Sequence, residues 1–156
     1  MKRIGRSKTL AFGPAVVSRL VPQQPPFLFV DRVTAFSDVG ELTMSAQRFI
    51  SASDPVFAGH LPQLKIWPGV YTIEGMGQAS TAMVCVAWLR ENLVNRGEDP
   101  DLVNEALVEL DRGSTLNPAY RHERCEALLA MLPGGRPPLS LIVDVNVRLK
   151  QPVFPG

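Results

Sequence analysis

The sequence predicts an α+β domain in which an antiparallel sheet wraps around one long helix. Residues 70–95 contain almost nothing that breaks a helix and are apolar nearly all round, which is typical of a buried helix. Residues 27–36 are rich in aromatic and β-branched residues, and residues 41–49 alternate apolar with polar residues, as strands do. Small residues on the helix allow a sheet to approach its backbone closely: Gly75, Gly77, Ala79, Ser80 and Ala82.

Length and composition predict a single domain. A chain of 156 residues has room for one core, and 46% apolar with 20% charged residues is ordinary for a globular protein. The formal net charge of +1 gives no electrostatic reason to expect nucleic acid as the main partner. No apolar run follows the basic N terminus, and no stretch is charge-free for long enough to be a clear membrane span. Because Cys85 and Cys125 lack metal-ligand spacing, we interpret both as reduced structural thiols of a cytoplasmic protein.

The remaining segments are predicted from their local patterns. Residues 1–12 are expected to form a basic, mobile arm, and residues 13–20 a short helix that ends before Pro22. A turn at residues 38–40 joins the two strands, and a last strand is predicted over residues 139–153.

Residues 96–138 form a helical region that is long for a connection between the long helix and the last strand. Apolar spacing predicts helices over residues 101–110 and 120–132, with a turn region at residues 113–118 between them. We interpret Asp99 as the cap of the first helix and His122 as a solvated residue on the face of the second.

The candidate site lies in residues 57–80. His60 lies in a Gly-His-Leu-Pro sequence that predicts a loop, and the Pro68-Gly69 pair predicts the start of the long helix. Glu74 is anomalous, because a carboxylate seldom lies in the first turns of a buried helix without a partner or a function. A base on a loop, an acid in an apolar helix and a free backbone N–H near Gly69 are the groups that remove a proton next to a carbonyl. The alternative is that His60 is an ordinary loop residue and Glu74 a capping acid.

Three blocks of sequence resemble the β-hydroxyacyl-acyl-carrier-protein dehydratases of the hot-dog fold. VPQQPPFLFVDRV at residues 21–33 is similar to the family's LPHRYPFLLVDRV. GHLP at residues 59–62, followed by PGVYTIEGMGQ at residues 68–78, is similar to its GHFP and PGVLxxEAMAQ. VRLKQPVFPG at residues 147–156 is similar to its FRRPVVPGD. The resemblance therefore implies a hot-dog fold, in which an antiparallel sheet wraps around one long central helix.

The resemblance implies reversible loss of water from a (3R)-3-hydroxyacyl thioester to give the trans-2-enoyl thioester. The acyl group is carried on the phosphopantetheine arm of an acyl carrier protein, in fatty-acid or polyketide-like biosynthesis. His60 matches the family's general base, Glu74 the acid that protonates the leaving hydroxyl, and the N–H of Gly69 the donor to the thioester carbonyl. No metal or redox cofactor is implied. Because the family takes the histidine and glutamate of one site from different subunits, a homodimer or a ring of dimers is implied as well.

Further positions around these groups are interpreted as supporting or substrate-channel residues: Phe57, Trp67, Pro68, Val70 and Gln78. Gln78, one turn beyond Glu74, either holds that carboxylate or bonds a neighbouring strand or subunit. Trp67 either narrows the acyl channel or is a core aromatic. The basic residues nearest the three blocks, available to an acidic carrier protein, are Arg32, Lys65, Arg148 and Lys150.

The sequence departs from the family pattern at several points. Gln23 replaces the usual histidine, Leu61 replaces a phenylalanine beside His60, and residues 96–138 are an insertion where the family has a short link. The family continues from its final Pro-Gly into a hairpin that completes the sheet, so we expect the C-terminal strands to be absent here. Either the sequence is part of a longer chain, or the remainder is removed or disordered, or another chain supplies the strands.

Two other functions remain open at this point. A hot-dog acyl thioesterase would hydrolyse the thioester instead of eliminating water. A non-catalytic acyl-binding or scaffolding protein would use residues 96–138 as its interface.

Overall fold

The computed structural model describes residues 10–137 and 144–156. Its helices and strands, in chain order, are α1 (Pro14–Leu20), β1 (Arg32–Ser37), β2 (Thr43–Gln47), α2 (Gly69–Asn95), α3 (Asp101–Leu116) and α4 (Glu123–Leu129). Short 3₁₀ turns lie at Pro55–Ala58 and Pro133–Gly135. The α+β class, the short first helix and the long helix are therefore confirmed.

The two strands form an antiparallel pair that is shorter than predicted. Phe36 lies opposite Met44 and Val33 opposite Ala46, with an irregularity after Val33. The predicted start of the first strand at residue 27 is wrong. There the backbone bonds a side chain instead of a strand, because Gln78 on α2 accepts from the N–H of Phe29 and donates to the carbonyl of Phe27.

The main core lies between α2 and the elements around it: α1, β1, α3 and α4. Leu10 and Phe12 are fully buried in it, and Phe12 exchanges two backbone hydrogen bonds with Val33. The prediction of a mobile arm is therefore wrong for residues 10–12, because their apolar side chains have a place in the core. Residues 1–9 lie outside the described part.

Both thiols lie in the same core, where Cys85 and Cys125 are buried free cysteines. Burial disfavours the charged thiolate, so the pKa of each thiol is raised to about 11.

The two helices predicted within residues 96–138 are present, but their bounds differ from those predicted. α3 continues to Leu116, so the turn predicted at residues 113–118 is wrong over residues 113–116. Gly113 lies inside α3, and the ring of Tyr120 packs against its Cα in the space that a side chain would take. Asp99 does cap α3, since its Oδ1 accepts from the N–H of Asp101 at 2.9 Å.

α4 is shorter than the helix predicted over residues 120–132. It begins directly after His122, whose Nδ1 accepts a hydrogen bond from the N–H of Cys125 at 3.3 Å. The interpretation of His122 as a solvated face residue is therefore wrong, because it is the N-cap of α4.

Arg90 is buried and links three elements at the end of α2 opposite the candidate site. Its guanidinium donates to Asp38 in the turn between β1 and β2 at 2.7 Å, and to Asp101 and Asn104 of α3 at 3.1 Å each. It also lies over the ring of Phe36, 5.8 Å from the centroid. One side chain thus joins the sheet to the two longest helices.

One face of α2 is exposed in the single chain, so the prediction of burial all round is wrong. Met76, Val84 and Trp88 are 54%, 51% and 43% exposed and, with Ser80, recur every fourth residue along one stripe. The described elements pack against the other faces of α2. No helix in the described ranges is both long and apolar enough to cross a membrane.

The segment of residues 144–156 belongs to no helix and lies outside the β1–β2 sheet, so the last predicted strand is wrong over residues 144–153. Residues 139–143 of that strand lie outside the described part. The segment instead bonds the chain near the start of α2, where the carbonyl of Val153 accepts from the N–H of Trp67 at 2.8 Å. Its residues Val145 and Leu149 are about half exposed.

Candidate active site

His60 lies on the loop between β2 and α2, directly after the 3₁₀ turn Pro55–Ala58. Its N–H donates to the carbonyl of Val56 at 2.8 Å, which continues that turn. Its ring Nδ1 lies 2.9 Å from the carbonyl oxygen of Ile66. Because a carbonyl oxygen only accepts, we assign the hydrogen of the neutral ring to Nδ1, which leaves the lone pair on Nε2. The loop therefore holds the imidazole in the tautomer of a base.

A cleft of about 290 Å³ lies beside this ring and is here named the His60 cleft. Its lining residues are His60, Ile66, Trp67, Gly69, Thr72, Leu149, Lys150, Gln151, Pro152 and Val153. Gly69 is the first residue of α2, so its N–H has no partner within the helix, and no other described residue accepts from it. A methyl group of Leu149 packs against its Cα, in the space that a side chain would take. The cleft thus contains a base and a backbone donor at the positive end of a helix dipole.

Glu74 is held by two amides. Its Oε1 accepts from Nε2 of Gln78 at 3.0 Å and from Nε2 of Gln23 at 3.0 Å. Gln78 is only 1% exposed and is itself bonded to the backbone of Phe27 and Phe29. Gln78 therefore holds the carboxylate, as the first alternative described, and it also bonds the non-strand segment before β1.

Glu74 and His60 of one chain point to different sides of α2. Thr72 lines the His60 cleft, and Glu74 follows two residues later. At 3.6 residues per turn, side chains two positions apart diverge by about 200°. In agreement with this divergence, Glu74 is not one of the described residues that line the His60 cleft. A single chain does not bring the two predicted catalytic groups into one cavity.

Trp67 lies between two cavities. It is buried and packs edge-on against Phe29, Phe57 and Tyr71, with centroids 5.4–6.3 Å apart. It also lines both the His60 cleft and a groove of about 460 Å³ between α2 and β2, here named the apolar groove. The groove is further lined by apolar side chains that include Met44, Ala46, Met76, Ala79 and Met83. Trp67 is thus at once a core aromatic and a wall of the cleft.

The other predicted supporting residues lie outside the cleft. Phe57 packs behind Trp67, Pro68 is buried directly before α2, and Val70 is 67% exposed. None of the three lines the His60 cleft or the apolar groove in the described part of the chain.

Of the predicted basic residues, Lys150 lines the His60 cleft, whereas Lys65 donates to the carbonyl of Ala52 at 2.8 Å. Arg32 and Arg148 are exposed. Residues 10–137 and 144–156 contain no group of three or more His, Cys, Asp or Glu side chains that could hold a metal ion.

Sequence reasoning missed two residues near the predicted catalytic groups. Gln23 contacts Glu74, and its sequence signal was the departure from the histidine expected there. Thr72 lines the cleft, but it carried no signal apart from its place in the second block. Arg48 was missed as well. It lies over the rings of Phe29 and Trp67 at the wall of the apolar groove.

A long helix beside an antiparallel strand pair, with a histidine loop leading into its first turn, is the arrangement of the hot-dog class. The model of the FabA-like domain family matches residues 21–105, more than half of the chain. The chain therefore belongs to the FabA-like domain family, which confirms the family resemblance. The first two blocks lie within the match, and the third, at residues 147–156, lies outside it. The match ends within α3, so α4 lies outside it.

Curated relatives agree with this membership. The chain is 45% identical over 64 residues to the 3-hydroxyacyl-[acyl-carrier-protein] dehydratase FabZ of Vibrio atlanticus, and the aligned residues cover 41% of each chain. It is 38% identical over 82 residues to the FabZ of Wolinella succinogenes, and these residues cover 53% of each chain. It is also 48% identical over 58 residues to a thioester dehydrase of Halalkalibacterium halodurans, covering 37% of this chain and 35% of that one. The chain thus spans about half the length, or less, of these relatives.

Proposed function

We propose that this protein reversibly removes water from a (3R)-3-hydroxyacyl thioester carried by an acyl carrier protein, in fatty-acid or polyketide-like biosynthesis in the cytoplasm. The observation that carries the proposal is the His60 cleft, which is lined by the imidazole of His60 and by Gly69 at the start of α2. Neither Nε2 of His60 nor the N–H of Gly69 has a hydrogen-bond partner among the described residues. The dehydratases and the dehydrase to which the chain is similar support it.

The proposed reaction assigns one proton step to each catalytic group. The thioester carbonyl accepts a hydrogen bond from the N–H of Gly69, which makes the α-proton more acidic. Nε2 of His60 removes that proton. As the double bond forms, the bond from the β-carbon to oxygen breaks, and the hydroxyl takes a proton from Glu74 and leaves as water. These steps use no metal or redox cofactor.

The proposed site uses Glu74 from a second copy of the chain. The opposite directions of Thr72 and Glu74 on α2 support this proposal, since the described lining of the His60 cleft does not include Glu74 of the same chain. The exposed apolar stripe of Met76, Val84 and Trp88 supports association of α2 with another surface. The proposed assembly is a homodimer, or a larger ring of dimers, with sites shared between subunits.

The apolar groove is proposed to receive part of the acyl chain, because it adjoins the His60 cleft at Trp67, Thr72 and Val153. The acidic carrier protein is proposed to dock where Lys150 and the exposed Arg148 lie beside the cleft.

The proposal is tested by following 3-hydroxyacyl thioesters on a carrier protein with mass spectrometry. We expect the mass of one water to be lost from the acyl group while the thioester bond stays intact. Release of free thiol without any enoyl product would contradict the proposal and identify a thioesterase. An acyl carrier that is bound but chemically unchanged would contradict it in favour of a binding or scaffolding protein.

A further inference from the structure

We propose that Gln23 is a positioning residue for Glu74 that donates a hydrogen bond to the carboxylate formed when Glu74 gives up its proton. The inference rests on the proposed function, because it assigns a part in the same proton transfer. Gln23 lies in the segment between α1 and β1, well outside the loop and helix that carry the other predicted catalytic groups.

The contact joins two distant parts of the chain. Nε2 of Gln23 lies 3.0 Å from Oε1 of Glu74, although 51 positions separate the two residues. Oε1 of Glu74 therefore accepts from two amides that arrive from different elements, since Gln78 approaches from one turn further along α2. Two donors on one oxygen fix the rotation of the carboxyl group and leave Oε2 as the oxygen that carries the transferable proton.

The two amides differ in what else constrains them. Gln78 must present its N–H to Glu74, because its own oxygen accepts from Phe29 and its nitrogen also donates to Phe27. Oε1 of Gln23, by contrast, is buried and accepts no hydrogen bond from the described residues. The side chain of Gln78 therefore bonds both Glu74 and the backbone before β1. The side chain of Gln23 bonds only Glu74 among the described residues.

This difference makes Gln23 important for the reaction and dispensable for folding. An N–H donor bonds a carboxylate more strongly than a neutral carboxylic acid, because the acceptor is charged. The hydrogen bond from Gln23 thus strengthens as negative charge develops on Glu74 during proton transfer to the leaving hydroxyl. Interactions that strengthen in the transition state raise kcat and leave KM almost unchanged.

The test is Gln23→Met, which keeps the length of the side chain and removes its donor. In hydration and dehydration of a four-carbon enoyl and 3-hydroxyacyl thioester, we expect kcat to fall about 10-fold in both directions with KM nearly unchanged. Gln23→His, which restores an N–H donor, is expected to recover most of this loss. Gln24→Met is the matched control, because Gln24 loses only an exposed hydrogen bond to the carbonyl of Ser18. Equal kcat in Gln23→Met and Gln24→Met would overturn the proposal.

A second measurement separates this proposal from the proposed function. In protein labelled with ¹³C at glutamate carboxyl carbons, the resonance absent from Glu74→Gln identifies Glu74. We expect the chemical shift of this resonance to change in Gln23→Met and to be unchanged in Gln24→Met. An unmoved resonance would overturn the contact itself. A moved resonance in a protein that turns over no thioester would refute the dehydratase function and, with it, the catalytic part assigned to Gln23.

Discussion

Replacing His60 by alanine is expected to abolish hydration of a crotonyl thioester, with a loss of at least about 100-fold, which is the range for removal of a general base. The loss of stability is expected to be small. The side chain of His60 is only partly buried and has one described hydrogen bond, to the carbonyl of Ile66. Removal of one such bond costs about 1 kcal/mol. Activity and folding should therefore separate clearly in this variant.

The measurement is the rate of loss of the enoyl thioester, together with circular dichroism spectra and a urea titration of the same sample. The second of the two histidines in the sequence provides a matched control. His122 caps α4, and His122→Asn keeps a capping side chain there. We expect this control to retain full turnover. Unchanged turnover in His60→Ala would sink the assignment of His60 as the base.

Replacing Arg90 by methionine is expected to lower the free energy of unfolding more than replacing any exposed residue of an ion pair in the described part of the chain. Three acceptors on two elements, Asp38, Asp101 and Asn104, would lose their common donor. Breaking a buried ion pair from one side costs about 3–5 kcal/mol. Because the Asp38 side chain is 37% exposed and can be solvated, we reduce this to about 2–3 kcal/mol.

The stability test compares Arg90→Met with Arg19→Met by urea denaturation. Arg19 also forms an ion pair, with Glu126 at 2.6 Å, but both side chains are about one-third or more exposed. That hydrogen bond and charge lower the pKa of the Glu126 carboxyl, so the pair stabilises the fold at neutral pH and loses this effect as the pH falls. A loss of about 1 kcal/mol or less is expected for Arg19→Met. Equal losses in the two variants would contradict the role given to Arg90.

The long helix and the position of the histidine loop were predictable because both depend on local sequence. Helix-compatible residues continue without a break through α2, and Gly59 with Pro62 interrupts regular structure around His60. The pairing of Gln78 with Glu74 was also accessible, since residues four apart meet on one face of a helix.

Features that depend on distant contacts could not be predicted in the same way. The strand expected from residue 27 gives way to backbone bonds with Gln78, which is some fifty positions further along the chain. Likewise, Gly113 has the local character of a turn residue, but it lies within α3, where the ring of Tyr120 fills the space that a side chain would take. The contact between Gln23 and Glu74 could not be predicted for the same reason, because the two residues are 51 positions apart in the sequence.

The proposal that two subunits share each site is tested most directly by pairing two inactive variants. His60→Ala and Glu74→Gln are produced together with different affinity tags, and the mixed dimer is purified through both tags. Each mixed dimer then contains one site with both residues intact and one site with neither. We expect about half the turnover of the unsubstituted dimer, although each variant alone is inactive. A mixed dimer as inactive as its parents would contradict the account, because one chain would then have to supply both catalytic groups of a site.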